Sequence, residues 1–425
     1  MRNQVIYQIF TRNYRNGTFR ALEQDLPRLK ELGIDYIYLL PIQPSGILHR
    51  KGSMGSPYAI QDYRTIDPVQ GTMEDFIHLA ESIHRAGMKL MLDVVYNHTS
   101  PDSVLSQEHP EWFYHKPDGS FGNRIGDWWD VIDLDYSHPD LWDYQISTLK
   151  IWARYADGFR CDVAPMVPLA FWQRAVAETA EVNPELIWLA ESVEPEFIYS
   201  NRKSGVPTSS DAELYSAFDI CYDYDIQQYL IDVLTGQGTL SDYLRQVNRQ
   251  ETLYPQDYSK LRFLENHDRS RAAALIPEEK ILRNWTAWIY FNKGTTLIYA
   301  GQEACVSHHP TLFDPDPVCF DTGRDLSPLM KQLSVLKKDP LFSCSCFHAE
   351  AIGKNADVIL AVHEASASAS VPHRKAIGIF SASGRIEVLR VPLGNGTYIN
   401  ALTGARAEVY EGLLSYDGEP LILFL

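Results

Sequence analysis

In the stretch Ala156-Asp157-Gly158-Phe159-Arg160-Cys161-Asp162-Val163-Ala164, an arginine and a carboxylate stand two residues apart. Alternate residues of a strand share a face, so Arg160 and Asp162 point one way and Phe159 and Cys161 the other. A guanidinium beside a carboxylate is expected to keep that carboxylate ionised, and an ionised carboxylate in a shielded site is a nucleophile. A structural ion pair at a strand end reads the same way on this stretch alone. Other strand ends decide between the two. The run from Lys89 to His98 supplies Asp93, Asn97 and His98, the run Leu186–Glu191 ends in Glu191, and Leu261–Asp268 ends in His267 and Asp268. Each residue has an ordinary alternative, a loop anchor or a helix cap. Four carboxylates, two histidines and an arginine converging on one opening have no ordinary alternative as a group.

Convergence requires a scaffold. Short runs rich in β-branched and aromatic residues alternate with helical periodicities, the pattern of βα units around a parallel sheet. Strands are predicted at Val5–Ile9, Tyr36–Leu40, Lys89–His98, across Arg160, at Leu186–Glu191, Ala217–Asp219, Leu261–Asp268 and Thr296–Ala300. Eight such units close a (β/α)8 barrel of the TIM type, with its site at the C-terminal strand ends. Residues 99–136 carry aromatics, Pro and Gly without sustained helical periodicity, and are expected to form an inserted domain over the site. The barrel is assigned to 1–98 and 137–340. From 341 to 425, short alternating runs between Gly, Ser and Asn turns predict an all-β sandwich, with a loop at 365–370.

Composition limits the partners. The chain has 425 residues and a net charge of −17. Binding to phosphate backbones needs a basic surface, so nucleic acid is excluded as a partner, and no run is long and apolar enough for a membrane helix. The N-terminus runs into a strand without a basic and apolar leader, from which a cytoplasmic location is expected. The six cysteines match no disulfide or zinc spacing and are expected to be reduced core thiols. Oligomeric state is not encoded in any of these features.

The segments Asp93-Val94-Val95-Tyr96-Asn97-His98, Gly158-Phe159-Arg160-Cys161-Asp162, Glu191 and Asn266-His267-Asp268 resemble, in order and spacing, the four signature regions of the α-amylase superfamily, glycoside hydrolase family 13. The resemblance implies Asp162 as nucleophile, Glu191 as general acid/base and Asp268 as transition-state stabiliser. It also implies that Asp93, His98, Arg160 and His267 surround the sugar at the cleavage point, that Tyr58 stacks on it, and that 99–136 is the family's B domain. Retaining cleavage needs two carboxyl groups of opposite protonation roughly 5 Å apart, and Glu191, beside Leu189 and Trp188, is the one expected to hold the proton. After the nucleophile, Val163-Ala164 resembles maltogenic and neopullulanase-like members or α-1,6-glucosidases, and Pro165-Met166 stands where many α-amylases have Lys-His. The implied activity is retaining hydrolysis of α-1,4 bonds in maltooligosaccharides. The alternatives are an α-1,6-glucosidase, a transglycosylase, or an inactive sugar-binding homologue. The chemistry needs no cofactor; the resemblance leaves room for a structural calcium, with Asn97 as a ligand and Asp127, Asp130 or Asp133 as partners.

Overall fold

The computed structural model describes residues 1–125, 128–367 and 369–425. Eight parallel strands close a barrel: β1 (Val5–Ile9), β2 (Tyr36–Leu39), β3 (Lys89–Val94), β4 (Gly158–Cys161), β5 (Ile187–Ala190), β6 (Ile220–Tyr222), β7 (Lys260–Arg262) and β8 (Thr295–Tyr299), in the order β1-β8-β7-β6-β5-β4-β3-β2. Alternation sorts their side chains. Ile6, Tyr38, Met91, Leu189, Ile220 and Leu297 fill the interior, whereas Val5, Ile37, Leu90, Phe159 and Trp188 pack outward against the helical ring. A barrel interior filled in this way is a core and not a pore, so chemistry is confined to its ends.

The helices begin where the sequence supplies caps. Thr72 and Asp75 form a reciprocal capping box at the start of Met73–Arg85, satisfying two N–H groups that the helix cannot. Gly33 and Gly87 follow helix ends with φ of 85° and 69°, left-handed values that glycine adopts without strain.

Several element boundaries differ from the sequence reading. The run 89–98 is split: β3 ends at Val94, and His98 lies in a two-stranded ribbon, His98–Thr99 with Ile132–Asp133. The predicted sixth strand lies three residues too early, since Phe218 packs into the outer core and Asp219 binds the Trp188 N–H through Oδ2 at 2.8 Å. Both β6 and β7 have three residues; Phe263 to Asp268 leave the sheet as a loop.

At the C-terminal end, two four-stranded antiparallel sheets pack face to face around Leu360, Ile377, Leu389, Leu414 and Leu423. The other face of the first sheet meets the barrel helices through Phe347, Phe380 and buried His363, whose Nε2 bonds the Phe291 carbonyl at 2.7 Å. Its loop at 365–370 contains Ser368, which lies outside the described residues. All six cysteines are free, but only Cys161, Cys221 and Cys305 are buried; Cys319, Cys344 and Cys346 are exposed, so the expectation of core thiols holds for half of them. Among the described residues no helix is long and apolar enough to cross a membrane.

Candidate active site

Three strand ends meet on Arg160. This side chain is completely buried, and its Nη1 donates to Asp93 Oδ1 and to Asp162 Oδ1, each at 2.8 Å. Its Nη2 lies 2.9 Å from Glu191 Oε1, a charge contact off the axis of a hydrogen bond. β3 and β4 pair with Asp93 opposite Arg160, which is why the guanidinium and its carboxylates share one height.

One guanidinium faces three carboxylates. Burial, and next the charge of Glu191, push the Asp162 carboxyl well above the usual carboxylate range, with Arg160 opposing. Arg160 divides its positive charge among three partners, and its pull on Asp162 works against the desolvation that burial imposes. Asp93 is raised for the same leading reason. Such a cluster titrates as a unit.

The free atoms show what the cluster is prepared for. Asp162 Oδ2 is buried without a hydrogen-bond partner, 3.7 Å from His98 Nε2. Glu191 Oε2 accepts the Val163 N–H at 2.8 Å. Val163 sits at φ 41° and ψ 42°, a left-handed conformation that a β-branched residue adopts only under strain. That turn aims its N–H at Glu191.

A second layer fixes the ring nitrogens. Gln8 Nε2 donates to His267 Nδ1 at 2.9 Å, leaving Nε2 as the His267 donor toward Tyr58 Oη at 2.6 Å and Asp268 Oδ2 at 3.1 Å. Tyr58 Oη in turn reaches Asp93 Oδ2 at 3.1 Å, an oxygen also held by Tyr38 Oη at 2.6 Å. The rings of Tyr58 and His267 stack with centroids 5.5 Å apart. Asn97 Nδ2 stands 3.1 Å from His98 Nδ1, and Trp128 leans on the His98 ring. Burial holds His267 down at about 3 and His98 at about 4, so both imidazoles are neutral near pH 7. Asp268 is the open member, its side chain 43% exposed at the mouth.

All eight residues singled out in the sequence thus gather at one end of the barrel. Sequence reasoning passed over Gln8 and Tyr38, and read Val163 only as a family signature and not for its backbone contact with Glu191. The first two occupy inward positions of β1 and β2, where a polar atom on an otherwise apolar face is itself a signal.

The calcium expectation fares differently. Asp130 Oδ1 is paired with Lys51 Nζ at 2.7 Å, and Asp133 Oδ2 accepts the Arg124 N–H at 2.7 Å with the Arg124 guanidinium 3.5 Å away. Asp127 lies outside the described residues. Calcium takes six to eight oxygens, whereas here two cations already occupy the acidic partners and Asn97 faces an imidazole. Among the described residues no group of three or more His, Cys, Asp or Glu is placed to hold a metal. The described residues do not fit the ion.

Asp133 also carries a pH dependence. It is fully buried, and burial lifts it to about 6 against the pull of Arg124. A carboxyl raised above its unfolded value of about 4 stabilises the fold most below that value, and the stabilisation is lost as pH rises through about 6. Asp133→Asn is therefore expected to gain about 2 kcal/mol over the parent at about pH 8 and nothing at about pH 4. Urea unfolding at the two pH values checks this; an equal shift at both would contradict it.

A closed parallel barrel with buried carboxylates gathered at its C-terminal strand ends defines an enzyme scaffold of the TIM class. The chain belongs to the α-amylase family, glycoside hydrolase family 13: the family model described as "Alpha amylase, catalytic domain" matches residues 6–351, and that of "Bacterial Alpha amylase C-terminal domain" matches 351–423. An α-amylase from Lactobacillus plantarum superposes with a TM-score of 0.96 at 43% identity, over 100% of this chain and 99% of that one. A noncanonic maltogenic α-amylase from Thermotoga neapolitana gives 0.87 at 31%, with 100% and 99% covered. Among curated sequences, the α-1,4-glucan:maltose-1-phosphate maltosyltransferase of Myxococcus xanthus is 30% identical over 56% of this chain and 39% of its own length. The enzyme so named from Salinibacter ruber is 33% identical over 48% and 35%. The chain thus matches well under half the length of these curated relatives.

Proposed function

We propose that this enzyme hydrolyses α-1,4 bonds of maltooligosaccharides with retention, through a glycosyl ester on Asp162. The observation that carries the reading is Arg160, whose two terminal nitrogens touch Asp162 and Glu191 at 2.8 and 2.9 Å. Two carboxylates held by the two terminal nitrogens of one guanidinium support the short separation of about 5 Å that retaining enzymes use.

The steps follow from the free atoms. Asp162 Oδ2, unpartnered, attacks the anomeric carbon while Glu191 protonates the departing oxygen; that oxygen's bond to carbon breaks as the ester forms. Water, deprotonated by Glu191, then cleaves the ester and restores both groups. In this reading neutral His98 and His267 and the side chain of Asp268 bond sugar hydroxyls, and Tyr58 offers a ring face. No step calls for a metal; Lys51 and Arg124 supply the positive charge at the inserted segment 99–136.

A second reading has its own support. The maltosyltransferase names of the curated relatives favour a glycosyl ester intercepted by a sugar or phosphate acceptor in place of water. Proton NMR of maltoheptaose turnover separates the outcomes. The α-anomer appearing first is expected. First appearance of the β-anomer would remove Asp162 as nucleophile, and products longer than the substrate would favour transfer.

A further inference from the structure

The segment that follows β2 runs out from the rim and back, closed at its base by the antiparallel bridge of Ser45 with Ile60. Tyr58, on the returning limb, belongs to the site. The tip, residues 46–55, is fastened on both flanks. Toward the inserted segment 99–136, the Ile47 N–H donates to Asp102 Oδ2 at 2.9 Å and Lys51 pairs with Asp130 at 2.7 Å. A Cβ on Gly46 would stand 1.7 Å from Ser100 Oγ, so the two segments touch at a distance only glycine allows.

Toward the loop after β8, the Met54 N–H donates to the Phe313 carbonyl at 2.8 Å, and Ser53 N and Oγ both reach Asp314 Oδ1 at 2.8 Å. Gly52 is pressed against Phe313 in turn, with φ 59° and a Cβ position 2.5 Å from that carbonyl oxygen. The loop after β1 braces the assembly from below. Arg12, nearly buried, pairs with Asp67 at 3.0 Å and donates to Ser45 Oγ at 2.7 Å, and Asn13 Nδ2 donates to the Thr311 carbonyl at 2.8 Å. The loops after β3, β2, β1 and β8 therefore form one continuous belt over four adjacent strands.

The far side of the rim is built differently. Glu191 hangs from β5, which stands opposite β1 in the ring. There the loops after β4 and β5, with Pro165, Met166, Val167, Val206 and Thr208, line an open groove of about 750 Å³ whose other wall is the segment after β3, at Asn97, Arg124 and Leu134. A proton donor must reach the glycosidic oxygen, so the leaving part of a substrate lies on the side of Glu191. The part bonded to Asp162 faces the belt. That part continues through its 4-oxygen toward the non-reducing end of the chain.

We infer that the belt stops a glucan from threading through the site, so that the enzyme works from non-reducing chain ends; this rests on the glucan reading above. The pinned tip excludes any extension beyond the terminal sugars, and the open groove accepts a remainder of any length. Exclusion by a wall acts as a clash against the wrong substrate and not as weaker contact with the right one.

The test compares p-nitrophenyl maltoheptaoside with the same compound carrying a 4,6-O-ethylidene group on its non-reducing glucose, each followed by chromatographic loss of substrate. The blocked compound is expected to disappear at least about 50-fold more slowly, as befits a group too large for its pocket. Equal rates would overturn the inference. Loss of neither compound would instead overturn the glucan reading. Lys51→Ala and Asp314→Ala free opposite flanks of the tip. In whichever of them still consumes the unblocked compound, the blocked-to-unblocked ratio is expected to rise about 10-fold; a ratio unchanged in both would mean that the belt is not the barrier.

Discussion

Asp162→Asn is expected to lower kcat by about 10⁴-fold or more while the protein stays folded. The amide keeps the carboxylate's shape, and its oxygen can still accept from Arg160 Nη1, which now lies 2.8 Å from Oδ1. What disappears is the charge of Oδ2, the one buried oxygen of the cluster that the protein leaves unpartnered. The substitution also takes one negative charge from a group of three that share a single cation, so the melting temperature should be unchanged or higher. Steady-state rates on maltoheptaose, beside calorimetry, give both numbers. A variant within 10-fold of the parent rate would mean that Asp162 is not the nucleophile.

Arg160→Met acts in the opposite sense on stability. Removing the shared cation leaves Asp93, Asp162 and Glu191 buried together without a counter-charge, and breaking a buried pair from one side typically costs about 3–5 kcal/mol. The variant should lose that much in urea unfolding at neutral pH. It should recover part of the loss as pH falls, because protonation removes the stranded charges. Activity should fall with it, since carboxylates without the guanidinium hold their protons to higher pH. The double variant Arg160→Met with Asp162→Asn discriminates a charge effect from a packing effect. Recovery of about 1 kcal/mol or more relative to the single variant is the coupling expected of charges in contact; strictly additive losses would assign the cost to the missing side-chain volume.

The residues now weighed in these experiments were legible because each stands at the end of a run with a clear period. Asp93, Asp162 and Glu191 close stretches of apolar residues long enough to be read as strands, and their joint position followed once eight βα units were counted. Where the run was too short, reading failed. Three residues at Ile220–Tyr222 and three at Lys260–Arg262 carry no measurable alternation. The segment between β5 and β7 holds helices Pro195–Lys203, Tyr224–Leu234 and Leu240–Leu253, which masked where β6 begins.

Contacts made by the backbone were invisible for a different reason. The N–H of Val163 on Glu191, and that of Met54 on the Phe313 carbonyl, belong to no residue type. Only the path of the chain creates them. The His98 assignment shows both sides: its place in the site was foreseen, but not the ribbon with Ile132–Asp133 that carries it.

The left-handed Val163 has a bearing on how this enzyme could be made more robust. A β-branched residue in that region of backbone space holds about 1–3 kcal/mol of strain, which makes the position attractive to anyone screening for heat tolerance; glycine there would relax it. Yet the twist that strains Val163 is the twist that turns its N–H onto Glu191 at 2.8 Å. Relaxing the peptide would free it to rotate away, and the Glu191 side chain would lose its anchor. On the function proposed above, thermostability and turnover are opposed at this residue, so a screen scored on melting alone would collect variants of it that are sturdier and slower.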